Sequence, residues 1–335
     1  MIELLSISPL SSIQDLGRHG YLRYGVGTSG AMDDVALAVG NLLLGNPENS
    51  AAIEVQMFPY EVRFLEDTVF ALSGADAAAE LDGVAVPSWW ARWAKKDQVL
   101  ILNPPEYGAR TYLALAGGID VPAVLGSRST QLRGSFGGLQ GRFLQPGDTL
   151  RAAASGGDPA SFQNWPAAGF GVEPPAFALP LGDAGDVLAS TRTFVRVLPA
   201  AEYDCYEEAS LASFWRQDWM IDLQSNRYGY RLNGEALIAR RTLEQRSHGI
   251  VPGVIQVPPN GQPIIQLRDA QPSGGYPKIG TVIEADLWRL GQAQLCSAIR
   301  FLPTTYESAV TALKEVRSYL DKVRRLAAFH RRETV

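Results

Sequence analysis

The stretch "YEVRFLEDTVFALSG", residues 60–74, alternates apolar and polar side chains at Val62 and Phe64 and again at Val69 and Ala71. A period of two sends neighbouring side chains to opposite faces, so the stretch predicts short strands. Further on, "TYLALAGGID", residues 111–120, sets Tyr112, Ala114 and Ala116 against Leu113 and Leu115, a run apolar on both faces. "GDTL" at residues 147–150 closes the region. Short runs of this kind, bounded by Gly, Pro and Asp, predict a barrel or a sandwich over residues 2–150.

The bulk numbers agree with that reading. The chain has 335 residues, enough for two domains, and is 46% hydrophobic and 19% charged. Its 33 Gly and 21 Pro exceed average usage and point to many turns. A net charge of −5 weighs against nucleic acid as a partner. Cys205 and Cys296 stand far apart without a CxxC, and are expected as buried or semi-buried thiols in a reducing compartment. His19, His248 and His330 show no ligand spacing, so no metal site is expected. The N-terminus has no basic region leading an apolar run, and no stretch is apolar for long enough to span a bilayer. The expectation is a cytoplasmic protein without membrane or nucleic-acid partners.

One helix interrupts the first β region. In "DDVALAVGNLLLGNP", Asp33 or Asp34 can cap the start, Val35, Val39 and Leu42 or Leu43 share a face, and Gly45 and Pro47 end it. Residues 152–190 contain no Lys or Arg and are dense in Ala, Gly and Pro, which predicts a linker or surface excursion. Strands resume at "FVRVLP", residues 194–199, and recur near Arg231, "GVIQVP" and "PIIQLRD", with a short helix near residues 207–215. From Thr305 a helix carries Val310, Leu313, Val316, Leu320, Val323 and Leu326 at spacings of three and four. It either packs on its own domain or meets a partner. The expected divisions are a first domain at 1–151, the excursion at 152–190, a second domain at 191–303 and the terminal helix at 304–335.

Four segments combine glycine with fixed polar residues. "SIQDLGRHGYLRYGVGTSGAMD", residues 12–33, holds Gln14, Asp15, Arg18, His19 and Asp33, either around a small ligand or as side chains satisfying turns. "GSRSTQLRGSFGGLQGRFLQPGD", residues 126–148, offers Arg128, Ser129 and Thr130 to an anion. It is not a phosphate-binding GxxxxGK[ST] loop, and none occurs elsewhere in the chain. "SNRYGYRLNG" carries Arg227 and Arg231. Residues 246–280 hold Ser247, His248, Gln256, Gln262, Asp269, Gln271 and Lys278. Neighbouring Ser247 and His248 do not make a triad, which needs proximity in space.

Within that last segment, "SGGYPKIG" (residues 273–280) places Lys278 behind two glycines, Tyr276 and Pro277. The glycines permit positive φ or close approach, and the proline restricts its own φ and that of Tyr276. The lysine is either a solvated residue after a turn or a held, partly buried ammonium able to bind a carboxylate or carbonyl oxygen or to move a proton.

Eight ordered blocks resemble one family: "SIQDLGRHGY", "GVGTSGAMD", "NLLLGNP", "YLALAGGIDVPAVLGSRST", "FGGLQGR", "SNRYGYRLNG", "SHGIVPGVIQVPPNGQPI" and "GGYPKIGTVIEADLWRLGQ". This is the KipA-like family, also called the allophanate hydrolase subunit 2 or biotin-dependent carboxyltransferase-like family. The resemblance runs from Ile2 to about Phe301. It implies two tandem cyclophilin-like β-barrel domains in a mainly β chain, followed by the terminal helix.

Within the family, "SHGIVPGVIQVP" and "DAQPSGGYPKI" look most like C subunits of bacterial ATP-dependent 5-oxoprolinases. These open the 5-oxoproline lactam to glutamate in a hetero-oligomer with an A subunit and a KipI-like B subunit. The resemblance therefore implies a hydrolase of cyclic amides, with ATP shared through the partner subunits and a small-molecule amide substrate. One alternative is a carboxyltransferase acting on a urea-like amide with carboxybiotin. No biotin-accepting Met-Lys-Met is present, so biotin would arrive on another protein. A second alternative is a non-catalytic regulatory partner of a KipI-like protein.

The candidate catalytic residues are Lys278, Asp269 and Asp33, with Gln14, Arg128, Ser129, Arg231, His248, Gln256 and Tyr276 for the substrate. The sequence departs from the family at Ala200-Ala201-Glu202 for Gly-Pro-Glu, at Leu295-Cys296-Ser297 for Pro-Gly-Asp, and at Pro272-Ser273 for Thr-Thr.

Overall fold

Residues 60–74 form two strands, Tyr60–Phe64 and Thr68–Gly74, and the turn between them carries the chain from one sheet to another. The computed structural model describes residues 1–153, 165–166, 168–177, 192–241 and 245–333. Most of the 152–190 stretch thus falls outside the described residues. The chain divides into two compact units: Met1–Arg18 with Ser29–Pro175 and Arg317–Val335, and His19–Thr28 with Ala176–Val316.

The first unit holds two six-stranded sheets. Tyr60, Val62 and Phe64 of one sheet share a core with Phe70, Leu72, Leu113 and Leu115 of the other. Thr68–Gly74 and Thr111–Leu115 are buried on both faces because the second sheet has a helical layer behind it. There Val69, Ala71, Tyr112 and Ala114 meet α1 (Asp34–Leu44) through Ala36, Leu37, Val39 and Leu43. Asp33, not Asp34, caps α1 by accepting a hydrogen bond from the Ala36 amide at 2.8 Å. Gly45 ends it at φ +79°.

In the second unit, α2 (Glu208–Arg216) sets Phe214 against Phe301 at 4.7 Å between ring centroids. Seven strands close into a barrel: Arg192–Pro199, Lys278–Val282, Val254–Gln256, Ile264–Gln266, Gly229–Asn233, Trp219–Ile221 and Ala298–Pro303, the last returning in parallel to the first. Closure leaves the barrel without a free edge. Before α3 (Leu287–Gln292), the fully buried Asp286 accepts from the backbone amide, Nε and Nη2 of Arg196 at 2.8, 2.9 and 2.6 Å.

The terminal helix α4 spans Tyr306–Glu333. Its Val323 and Ala327 join the core beneath α1, so its later part packs on the first unit. Cys205 is half-buried, whereas Cys296 is exposed, contrary to expectation. Cys296 occupies a left-handed position (φ +63°) in the tight turn before Ala298–Pro303, which leaves it on the surface. No helix of the described chain is long and apolar enough to cross a membrane.

Candidate functional site

Gly274 and Gly275 of "SGGYPKIG" answer to space, since neither takes a left-handed φ. A Cβ on Gly274 would lie 2.7 Å from Nε2 of Gln256, and one on Gly275 would lie 3.1 Å from the carbonyl oxygen of Gln245. Ser273–Gly274 is itself a short strand paired with His248–Gly249, so His248 stands opposite Gly274. Gln256 Nε2 donates to the carbonyl of Tyr276 at 3.2 Å, and the Val257 amide to that of Pro277 at 2.9 Å. Across a bulge after Ile255, Gln256 pairs with Lys278.

These contacts pin the backbone around Lys278. Its amide donates to Oε2 of Glu202 at 3.0 Å. Glu202 is the residue kept where Ala200-Ala201 replaces Gly-Pro, and neither alanine takes a positive φ. Lys278 is half-buried, and among the described residues its ammonium makes no hydrogen bond or ion pair. Four sequence candidates, Lys278, Gln256, Tyr276 and His248, are thus assembled on one framework.

Beside it opens a cavity of about 760 Å³ lined by Gly275, Tyr276 and Pro277 and by Tyr206, Leu237, Ile238, Arg241, Gln245, Val257 and Asn260, among others. Tyr206 is buried, and burial, reinforced by Glu202 and Cys205, pushes its phenol far above the usual tyrosine range. It is therefore a neutral hydroxyl at physiological pH. Oε1 of Gln245 is buried and accepts no hydrogen bond from the described residues.

The remaining second-unit candidates lie in other settings. Asp269 receives Nε of Arg227 at 2.8 Å, and both side chains are buried. Arg231 is exposed; its amide bonds Ser225 Oγ at 3.0 Å, and its charge contributes to holding the Asp222 carboxyl below the usual range, after hydrogen bonds from Gln224 and Asn233. His248 is exposed, with Nδ1 2.9 Å from the Arg246 carbonyl.

In the first unit, Arg128 and Ser129 belong to a knot around Asp15. This carboxylate accepts from the amides of Gly17 and Arg128 at 2.8 and 2.6 Å and from the hydroxyls of Ser127 and Ser129. Arg18, buried over the Phe136 ring, donates to the Ser129 carbonyl at 2.6 Å. Gln14, also buried, donates to Ser12 Oγ at 2.9 Å. Asp33 holds the start of α1, and its own amide donates to the Tyr112 hydroxyl at 2.8 Å.

Sequence reasoning missed Arg241, Gln245, Tyr206 and Asn260, the polar lining of the cavity. They come from three separate segments, Arg241 and Gln245 sharing one, without a common motif. Glu202 was visible only as the constant part of a departure.

With this geometry in place, the chain can be set beside known proteins. Residues 24–303 match the family described as carboxyltransferase domain, subdomain A and B. The chain is 41% identical to the C subunit of the Escherichia coli 5-oxoprolinase, over 96% of this chain and 97% of that one. It is 38% identical to the protein of the same name from Haemophilus influenzae, over 97% and 98%. The crystal structure of the Kluyveromyces lactis urea carboxylase superposes with a TM-score of 0.83 at 28% identity, covering 96% of this chain and 29% of that larger one.

Proposed function

The chain belongs to the carboxyltransferase domain, subdomain A and B, family, and on that footing we propose that it is the C subunit of an ATP-dependent 5-oxoprolinase, opening the 5-oxoproline lactam to glutamate together with A and B subunits. The observation that carries this reading is the end-to-end match, at 41% and 38% identity, to two proteins of that name and of nearly the same length.

Hydrolysis of a lactam breaks its C–N bond, and negative charge develops on the carbonyl oxygen as the carbon becomes tetrahedral. A fixed cation is most effective there when no other partner neutralises it. Lys278 fits this role, because its backbone is clamped by Glu202 while its ammonium is uncommitted among the described residues. Gln256 and Tyr276 hold the Lys278 segment in place. Asp269 acts by fixing Arg227, and Asp33 by fixing α1, since both carboxylates are already engaged. In the first unit the Ser129 hydroxyl is already given to Asp15 and the Gln14 amide to Ser12, so both act by holding the fold, and the Arg128 guanidinium is that unit's candidate for an anionic group. ATP enters with the partner subunits. Reconstitution tests the reading: the chain mixed with its A and B partners, ATP and 5-oxoproline should form glutamate, and a mixture lacking this chain that forms it equally fast would refute the proposal.

A second reading, carboxyl transfer from carboxybiotin to a urea-like amide, is favoured by the likeness to urea carboxylase. It requires carboxylation of urea that depends on an added biotin carrier.

A further inference from the structure

We infer that the cavity beside Tyr276 is a pocket for a small lactam acid, in which Gln245 accepts the ring N–H and Arg241 takes the carboxylate. The inference rests on the 5-oxoprolinase reading for the identity of the ligand, while the pocket itself stands on geometry.

A cavity of about 760 Å³ falls in the size range of small-molecule sites, which are apolar with a few placed polar groups. Here Leu237 and Val257 supply apolar wall. One polar group is unusual in what it lacks. The buried Oε1 of Gln245 has no donor among the described residues, a costly condition for an amide oxygen out of water. Its backbone is held close against Gly275, where even a methyl group would press on the Gln245 carbonyl at 3.1 Å. Gln245 thus has a held backbone and an unsatisfied acceptor, and a turn of its side chain out of the sealed position brings Oε1 to a ligand N–H in the cavity.

Arg241, an exposed residue that also lines the cavity, makes no ion pair or hydrogen bond among the described residues, and its planar fork is suited to a carboxylate. A donor for Gln245 and an anion for Arg241, joined by a small apolar ring, is the chemistry of a lactam acid. A carboxyl-free lactam would satisfy only the first, and a lactone acid only the second.

The test uses Gln245→Leu, Arg241→Gln and Arg241→Lys. In the reconstituted complex, KM for 5-oxoproline is measured together with inhibition by 2-pyrrolidinone and by the lactone acid in which ring oxygen replaces N–H. Saturation-transfer NMR with 5-oxoproline on the full chain gives a readout independent of turnover. Gln245→Leu should erase the preference for lactam over lactone acid, a change of at least about tenfold. Arg241→Gln should raise KM by at least about tenfold while leaving 2-pyrrolidinone inhibition unchanged, and Arg241→Lys should recover part of the loss. Active complexes in which all three variants keep wild-type discrimination would overturn the pocket and leave the 5-oxoprolinase reading intact. A wild-type complex that makes no glutamate, alongside NMR binding that Gln245→Leu and Arg241→Gln abolish, would overturn that reading and uphold the pocket. Absence of binding by both readouts overturns the pocket.

Discussion

Arg227 closes on Asp269 inside the second unit, with Nε 2.8 Å from Oδ2 and Nη2 3.4 Å from Oδ1, and both side chains are almost sealed from water. Breaking such a pair from one side leaves a buried charge uncompensated, at about 3–5 kcal/mol. Asp269→Ala should therefore lower the urea midpoint sharply. Replacing both partners by apolar residues of similar volume, Arg227→Met with Asp269→Leu, should recover most of the stability. Since the pair is assigned a structural role, the double variant should also retain glutamate formation. A folded double variant without turnover would place Arg227 or Asp269 in the chemistry itself.

Lys278 gives the opposite pattern. Its ammonium supports nothing else among the described residues, so Lys278→Ala should change stability by no more than about 0.5 kcal/mol. Turnover by the reconstituted complex should fall by about 10²–10³, the usual effect of removing a donor aimed at a developing oxyanion. Co-purification with the B subunit should persist. Loss of activity with retained binding separates a catalytic role from a purely regulatory one, and unchanged turnover would remove Lys278 from the mechanism.

The glycine pair offers a paired comparison on one two-stranded ladder. Gly274→Ala drives a Cβ to 2.7 Å from Gln256 Nε2 and should break the Gln256–Tyr276 hydrogen bond, with a stability loss of about 1–3 kcal/mol and a raised KM. Gly249, opposite Ser273, has nothing within 4 Å of the same construction, so Gly249→Ala should be near neutral. Equal effects at the two positions, measured by urea unfolding and steady-state kinetics, would refute the close-approach explanation.

What could be read beforehand was what is local. The period of two at Val62 and Phe64 is visible in the sequence because pleating imposes it, and α1 is visible because its cap and its terminal glycine lie within the same short segment. The assignment of Tyr60–Phe64 and Thr68–Gly74 to different sheets was not visible, because it depends on partners distant in the chain. Lys278 stood out because its Gly-Gly-Tyr-Pro support precedes it directly. Arg227 and Asp269 were each noticed but not as a pair, being 42 positions apart. Arg241 and Gln245 left no trace, since a cavity wall built from several loops has no periodicity.

The acid limb of stability should depend on Asp148. Hydrogen bonds from Arg142 first, and then from the Gln145 amide, hold its carboxyl below the usual aspartate range. A carboxyl with a depressed folded-state pKa contributes stability that is fully present above its unfolded value, about 4, and lost as pH falls through the folded value. Arg142→Gln should therefore lower stability at neutral pH and flatten the slope below about pH 4. Denaturant midpoints recorded from neutral pH downwards check this; a slope unaltered by the substitution would assign the acid sensitivity elsewhere.

Arg331 ties α4 to the end of α1. Its Nη1 donates to the carbonyls of Leu42 and Leu43 at 2.7 and 3.0 Å, in the last turn of the helix, where the Leu42 carbonyl otherwise accepts only from the capping Gly45 amide at 3.1 Å. Burial draws its pKa below the ordinary arginine value, which still leaves it charged at neutral pH. Arg331→Ala should cost about 1.5–3 kcal/mol, the range for hydrogen bonds that involve a charged group. Gly45 is coupled to it: a Cβ there would lie 3.1 Å from the Arg331 guanidinium carbon, on a backbone already at φ +79°. Gly45→Ala should thus carry both a conformational penalty of about 1 kcal/mol and a steric one in the wild-type background, and only the first in Arg331→Ala. A double-mutant cycle by urea unfolding should give a combined loss smaller than the two single losses added together, because the clash and the broken contact act on the same guanidinium. Strict additivity would show that the guanidinium yields freely and that Gly45 is required for its φ alone.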